Sequence, residues 1–214
     1  MPTLRVHNFT ITLDGYGAGT NQRPDAPFGD GVDGLHDWMF ATRAWRAEEG
    51  LDGGDEGLDN EGVVRYNAGI GATIMGRNMF GPVRGPWPDH SWTGWWGSNP
   101  PFHHDVFVLT HHPRPSVAMD GGTTFHFVDG TPEAVLSQAF EAANGQDVRI
   151  GGGAATIQQF LRAGLVDEMH LVIAPILAGA GERLFDHVDG ALAGYQCVEL
   201  ASSKTVTHAR IVRR

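Results

Sequence analysis

The sequence predicts an α/β domain whose strands pair mostly in parallel, and three observations predict it. The 214 residues, 41% of them apolar, suffice for one sizeable core and fall short of two full domains. Val106 to Leu109 is an unbroken apolar run between polar neighbours, as expected of a strand buried on both faces. From Val148 to Ala174 the pattern runs strand, helix, strand, which a right-handed crossover turns into parallel pairing.

The elements follow in chain order. Leu4 to Leu13 places apolar side chains at Leu4, Val6, Phe9, Ile11 and Leu13 and stops at Asp14-Gly15, predicting a first strand and a turn. Gly15 to Gly34, rich in Gly, Pro and Asp, is either a functional loop or disordered. Leu35, Trp38, Met39, Ala41, Thr42 and Trp45 then fall at helical spacing. The acidic stretch LDGGDEGLDNEG reads as a solvated loop, and Glu61 to Ile70 as a short helix. Ala72 to Met75 is a buried strand leading into Gly76-Arg77. Between Phe80 and Phe102 the pattern is irregular and holds Trp87, Trp92, Trp95 and Trp96, which either wall a pocket or cap the core. After the strand at Val106 comes another at Thr124 to Val128. Thr131 with Pro132 opens a helix running to Ala143. Val148 to Ile150 is a strand, Gly151 to Gly153 a turn, Ala154 to Ala163 a helix, and Met169 to Ala174 a strand ended by Pro175. Tyr195 to Leu200 and Thr205 to Val212 make a C-terminal antiparallel hairpin.

Composition narrows the function. A formal net charge of -10 repels polyanions, so neither nucleic acid nor an anionic membrane is an expected partner. Cys197, the single cysteine, forms no intrachain disulfide, and no signal peptide or membrane-length apolar run is present, so a soluble cytoplasmic protein is expected. His103-His104 and His111-His112 are adjacent pairs that point apart on a strand, and no metal site is expected. A nucleophile elbow, G-x-S-x-G, is missing.

The run VRIGGGAATIQQFL carries the strongest chemical signal. Three glycines between a strand and a helix admit close backbone approach, and the free amides of a helix start favour an anion such as a pyrophosphate; the bland alternative is a tight turn needing glycine for packing. Thr156 stands where G-x-G-x-x-G would need its third glycine. Two more strand ends, at Thr73 to Asn78 and Val108 to Arg114, lead to Arg77 and the His111 to Arg114 cluster, which offer hydrogen bonds to phosphates. Taken singly, Arg77 reads more commonly as a surface cation.

TLDGYGAG, IMGRNMF, VFVLTHHPR and VRIGGGAATIQQFLRAGLVDEMHLVIAPILAGAGERLF, in that order, resemble the dihydrofolate reductase-like superfamily, in the branch similar to the reductase domain of bacterial riboflavin biosynthesis proteins. The resemblance implies one domain over residues 1–214, a mixed, mostly parallel sheet flanked by helices, NADPH across the strand ends, and a homodimer. It places Gly76 and Arg77 against the adenosine or its phosphates and Thr110 and His111 at the adenine ribose phosphate. Gly152, Gly153, Ala154, Ala155 and Thr156 fall at the pyrophosphate, and Ala18 beside the nicotinamide. Met79 departs from the hydroxyl residue frequent after G-R-x. The implied activity is an NADPH-dependent reductase similar to 5-amino-6-(5-phosphoribosylamino)uracil reductase. A dihydrofolate or other small-carbonyl reductase, or a nucleotide-binding protein without turnover, are the alternatives. Hydride transfer also requires a proton source. Asp37 and His36, one register apart at the start of the first helix, are candidates, Asp37 serving equally as a dipole-favoured first-turn acid. Asp14 is a third, with a turn-forming Asp-Gly as its plain alternative.

Overall fold

The computed structural model describes residues 1–214. Chain order is β1 (Leu4–Thr12), β2 (Tyr16–Ala18), α1 (Asp37–Phe40), α2 (Arg43–Glu48), α3 (Leu58–Asn67), β3 (Ile70–Gly76), α4 (Arg77–Phe80), β4 (Asp105–Leu109), β5 (Val117–Ala118) and β6 (Thr124–Val128). There follow α5 (Pro132–Ala142), β7 (Asp147–Gly152), α6 (Ala154–Arg162), β8 (Glu168–Ala174), β9 (Glu182–Arg183), β10 (Tyr195–Ser202) and β11 (Thr207–Arg213). Nine strands form one sheet in the order β10-β11-β8-β1-β7-β3-β4-β6-β5, while β2 and β9 pair apart from it. The six from β8 to β6 in that order run parallel; β11, β10 and β5 are antiparallel to their neighbours. The fold is an α/β sheet, mixed and mostly parallel and flanked by helices, with the C-terminal hairpin in place.

The largest core cluster joins the inner strands to α6 through Leu4, Val6, Ile74, Val148, Ile150, Ile157, Phe160 and Leu161, all buried, and takes in α5 through Val135, Leu136 and Ala139. Burying eight such side chains stabilises the fold by about 1.5–3 kcal/mol each before chain entropy is subtracted. Thr131 caps α5 by accepting from the Ala134 amide at 3.4 Å. Tyr195 ties the hairpin to the core by donating to the Val166 carbonyl at 2.6 Å.

Several elements differ from the pattern read in the sequence. The helix expected from Leu35 to Trp45 is two helices, because Thr42 adopts an extended conformation and caps α2, its hydroxyl accepting from the Trp45 amide at 3.3 Å. The acidic stretch is only partly a loop: α3 begins at Leu58, putting Asp59 and Glu61 in its first turn, where the helix dipole favours them. Asp59 is an internal anchor, accepting from the Thr205 hydroxyl at 2.7 Å and facing His208 Nε2 at 2.9 Å. The helix stops at Asn67, Ala68 and Gly69 turn the chain, and Ile70 already belongs to β3. Gly15 to Gly34 is an ordered loop holding β2 and a bridge between Thr20 and Asp30. The first strand ends one residue early, leaving Leu13 exposed.

Candidate active site

A cavity of about 730 Å³ opens where β1, β3, β4 and β7 end, and it is lined from two directions. At one end the walls are largely backbone. β3 passes into α4 at Gly76, β7 into α6 at Gly152 and Gly153, and β4 into the turn at Thr110. Gly153 offers α6 no side-chain cap, so the first amides of that helix stay free to meet an anion. Gly152 has φ +137, a conformation L side chains rarely adopt, and a Cβ there would lie 3.1 Å from the Phe9 ring and 3.3 Å from Met79 Sδ. At Gly76 a Cβ would collide with the Thr156 hydroxyl, so glycine brings β3 and α6 together. The Gly152-Gly153 peptide is cis.

Arg77, the first residue of α4, is buried and lines this end with Nε, Nη1 and Nη2 all lacking a hydrogen-bond partner. Its guanidinium stacks 3.6 Å from the centroid of the Trp87 ring. Arg114 lies against the same tryptophan at 4.2 Å and donates to the Trp92 carbonyl at 2.6 Å, outside the cavity lining. Arg84, absent from the residues singled out in the sequence, also lines this end, its Nη2 donating to Gln22 Oε1 at 3.0 Å. Neither Arg77 nor Arg84 has a carboxylate within 4.0 Å. Leaving the Arg77 donors buried and unpaired costs about 1–3 kcal/mol or more, so this end is electrostatically prepared for an anionic group.

The residues read as cofactor-binding in the sequence converge here. Ala18, Gly76, Arg77, Thr110, His111, Gly152, Gly153, Ala154, Ala155 and Thr156 all line the cavity. Thr110 shapes its turn, its hydroxyl accepting from the His112 amide at 3.1 Å, while His111 sits on the exposed rim 3.0 Å from Asp129. Met79, in place of a hydroxyl residue, lies over Gly151 and Gly152.

The three candidate acids are dispersed. His36 lines the cavity, stacked on Phe28 at 4.1 Å, with Nδ1 buried and unpartnered; burial pushes its pKa down to about 4. Asp37 starts α1 on the exposed side and does not line the cavity. Asp14 also lies outside it. Its carboxylate accepts from the Thr12 hydroxyl at 2.6 Å and from the Ala178 and Gly179 amides at 3.1 and 2.8 Å, tying the end of β1 to the loop after β8; chiefly the Thr12 bond holds its pKa down to about 2.

The other end is built from side chains distant in sequence: Asn8, His36, Trp45, Glu48, Asn67, Trp95, Trp96, Phe102 and Arg149. The tryptophan-rich segment thus does both jobs left open by the sequence. Trp87, Trp92 and Trp96 pack on the Met75, Phe80, Phe125 cluster, and Trp95 and Trp96 face the cavity. Trp87 and Trp92 satisfy their indole N–H groups on the His112 and Phe80 carbonyls, at 2.6 and 3.0 Å.

Comparison with known proteins gives these findings. The model of the RibD C-terminal domain matches residues 3–209. No curated protein matches the chain. Among solved structures, a riboflavin biosynthesis protein from Shewanella sp. PV-4 superposes with TM-score 0.62 at 21% identity, over 100% of this chain and 99% of that one. The diaminohydroxyphosphoribosylaminopyrimidine deaminase/5-amino-6-(5-phosphoribosylamino)uracil reductase of Thermotoga maritima gives 0.57 at 15% identity, over 100% and 57%. Dihydrofolate reductase of Enterococcus faecalis, complexed with NADP(H) and RAB-propyl, gives 0.52 at 14% identity, over 99% and 96%. At these identities the structural likeness defines the fold.

Proposed function

The chain belongs to the RibD C-terminal domain family, and from that premise we propose that it is an NADPH-dependent reductase similar to the 5-amino-6-(5-phosphoribosylamino)uracil reductases, acting on a small heterocyclic or carbonyl substrate. The observation that carries this reading is the buried Arg77 guanidinium, whose three nitrogens have no partner at the glycine-lined end of the cavity. That donor set fits a dinucleotide carrying an extra phosphate, with Arg77 and Arg84 for that phosphate and the free α6 amides for the pyrophosphate. When bound, NADPH supplies the hydride.

The chain's own residues bind, orient and exclude water. Ala18 and Gly17 close over the end of β1, and the Phe9 ring packs beneath Gly17 and Gly152. Trp95, Trp96 and Phe102 wall off the acceptor side. His36 is neutral at physiological pH and serves as a hydrogen-bonding wall, so solvent at the mouth delivers the proton in this reading. The placement of Asp14 and Asp37 outside the cavity favours one second reading, a nucleotide-binding protein without turnover.

Titration with NADPH and with NADH, followed by the fluorescence of the six tryptophans, tests the proposal. Saturable quenching with NADPH preferred over NADH is expected, followed by NADPH oxidation on adding a pyrimidine, folate or carbonyl acceptor. Binding without oxidation across all three acceptor classes selects the second reading, and no binding of either nucleotide removes both.

A further inference from the structure

Arg149 lies at mid-strand in β7, the central strand of the nine-stranded sheet. Strand alternation turns Val148 and Ile150 into the core and Arg149, with Gly151, onto the cavity face. The charge there has no carboxylate within 4.0 Å, unlike Arg5, its register neighbour on β1, which is paired with Asp147. Its one hydrogen bond runs from Nη1 to Asn67 Oδ1 at 2.8 Å, and Nε is buried with no partner. Burial brings its pKa down to about 10, so it remains a cation at neutral pH.

The surroundings select what that cation meets. Asn67 Oδ1 also accepts from Asn8 Nδ2 at 3.2 Å, and Asn8 Oδ1 is left buried and unpartnered at the same end of the cavity. Asn8 is held there by a bulge in β1, where it takes φ +51 and donates its amide to His170 Nδ1 at 3.3 Å. The Phe102 ring lies 5.9 Å from the guanidinium, and Trp45, Trp95 and Trp96 complete an aromatic wall. A partly buried cation with no carboxylate in contact is short of a partner, and a guanidinium fork beside aromatic rings suits an oxyanion carried on an aromatic group.

We propose that Arg149 is a specificity-determining residue that holds an oxyanion, carboxylate or phosphate, of an aromatic substrate in the far end of the cavity, with Asn67 and Asn8 fixing its approach. This deepens the reductase reading and rests on it for the word substrate; the anion site itself does not. Glu48 lines the same end and opposes an incoming anion.

The test is isothermal titration calorimetry on the full chain saturated with NADP+, so that the Arg77 end is filled. Phenyl phosphate and benzoate distinguish the two anion sources, and benzyl alcohol is the neutral control. At least one anion is expected to bind saturably and benzyl alcohol not to; Arg149→Gln should weaken the anion about tenfold or more while NADP+ affinity stays within about twofold, and Glu48→Gln should tighten it. Arg149→Lys should restore part of the loss, which a merely structural arginine would not predict. Equal affinity in wild type and Arg149→Gln, equal binding of benzyl alcohol, or no anion binding to wild type overturns the proposal. Should NADP+ itself fail to bind, the reductase reading falls, and the same phenyl phosphate titration without dinucleotide still decides the role of Arg149.

Discussion

The two ends of the cavity each present an arginine with no carboxylate within 4.0 Å, Arg77 buried and Arg149 partly so, and they are built in opposite ways. Around Arg77 the wall is main chain: glycines at strand ends, the open amides of α6 and a guanidinium immobilised on Trp87. Around Arg149 the wall is side chains contributed by β1, α2, α3, the tryptophan segment and β7. Main-chain amides cannot be mutated away and suit a ligand part that stays constant, whereas side chains can be exchanged singly and suit the part that distinguishes one family member from another.

That contrast is broken most severely at Gly152. Gly152→Val forces a side chain into φ +137 and against Phe9 and Met79, so NADPH affinity should fall by about 100-fold or more. The same change should lower the melting temperature, since such strain costs about 1–3 kcal/mol. Titration and thermal unfolding read both effects, and retained affinity would remove the glycine turn from the site. Next in size, Arg77→Gln should cut the preference for NADPH over NADH by about tenfold while sparing NADH, as seen by fluorescence titration. A variant that weakens both nucleotides equally would make Arg77 a general packing residue.

Two smaller effects concern residues that serve the frame. His36 has a folded pKa pushed from 6.5 down to about 4, so the unfolded chain takes up a proton first and stability falls as pH drops from about 6.5 toward 4. His36→Phe should reduce the dependence of melting temperature on pH across that window without abolishing it, since burial also lowers His104 to about 4 and His170 to about 3. Asp14 has a folded pKa lowered from 3.8 to about 2; its contribution is complete above about pH 4 and is lost as pH falls toward 2. Asp14→Asn should remove that acid-side slope, cost some stability at neutrality and leave NADPH affinity unchanged. A loss of turnover with an intact fold would instead return Asp14 to the reaction.

The main-chain end was legible in the sequence because its signal is local. Glycines after an apolar strand and before an amphipathic helix sit within a few residues of one another, as in Ile150 to Ile157. The side-chain end was not, because Asn8, Asn67 and Arg149 meet only through the register of β1 and β7 and the docking of α3, separations of 59 and 82 residues. One signal was available: a cation alternating with Val148 and Ile150 directly before the glycines is a charge where a central strand expects none. Helix breaks were missed for a related reason. Thr42 is helical by spacing, and its hydroxyl's choice of the Trp45 amide, together with the backbone bridge to Asp55, divides α1 from α2. Of the three candidate acids only His36 lines the cavity; Asp14 and Asp37 stand next to cavity-lining segments and outside the lining, a distinction that sequence adjacency does not carry.

A crystal structure with NADP+ bound tests the central claim most directly. The account predicts the pyrophosphate on the amides that open α6, the additional phosphate within hydrogen-bond distance of Arg77, and the nicotinamide beside Ala18. A nucleotide seated away from Gly152 to Thr156, with Arg77 still unpartnered, would contradict it.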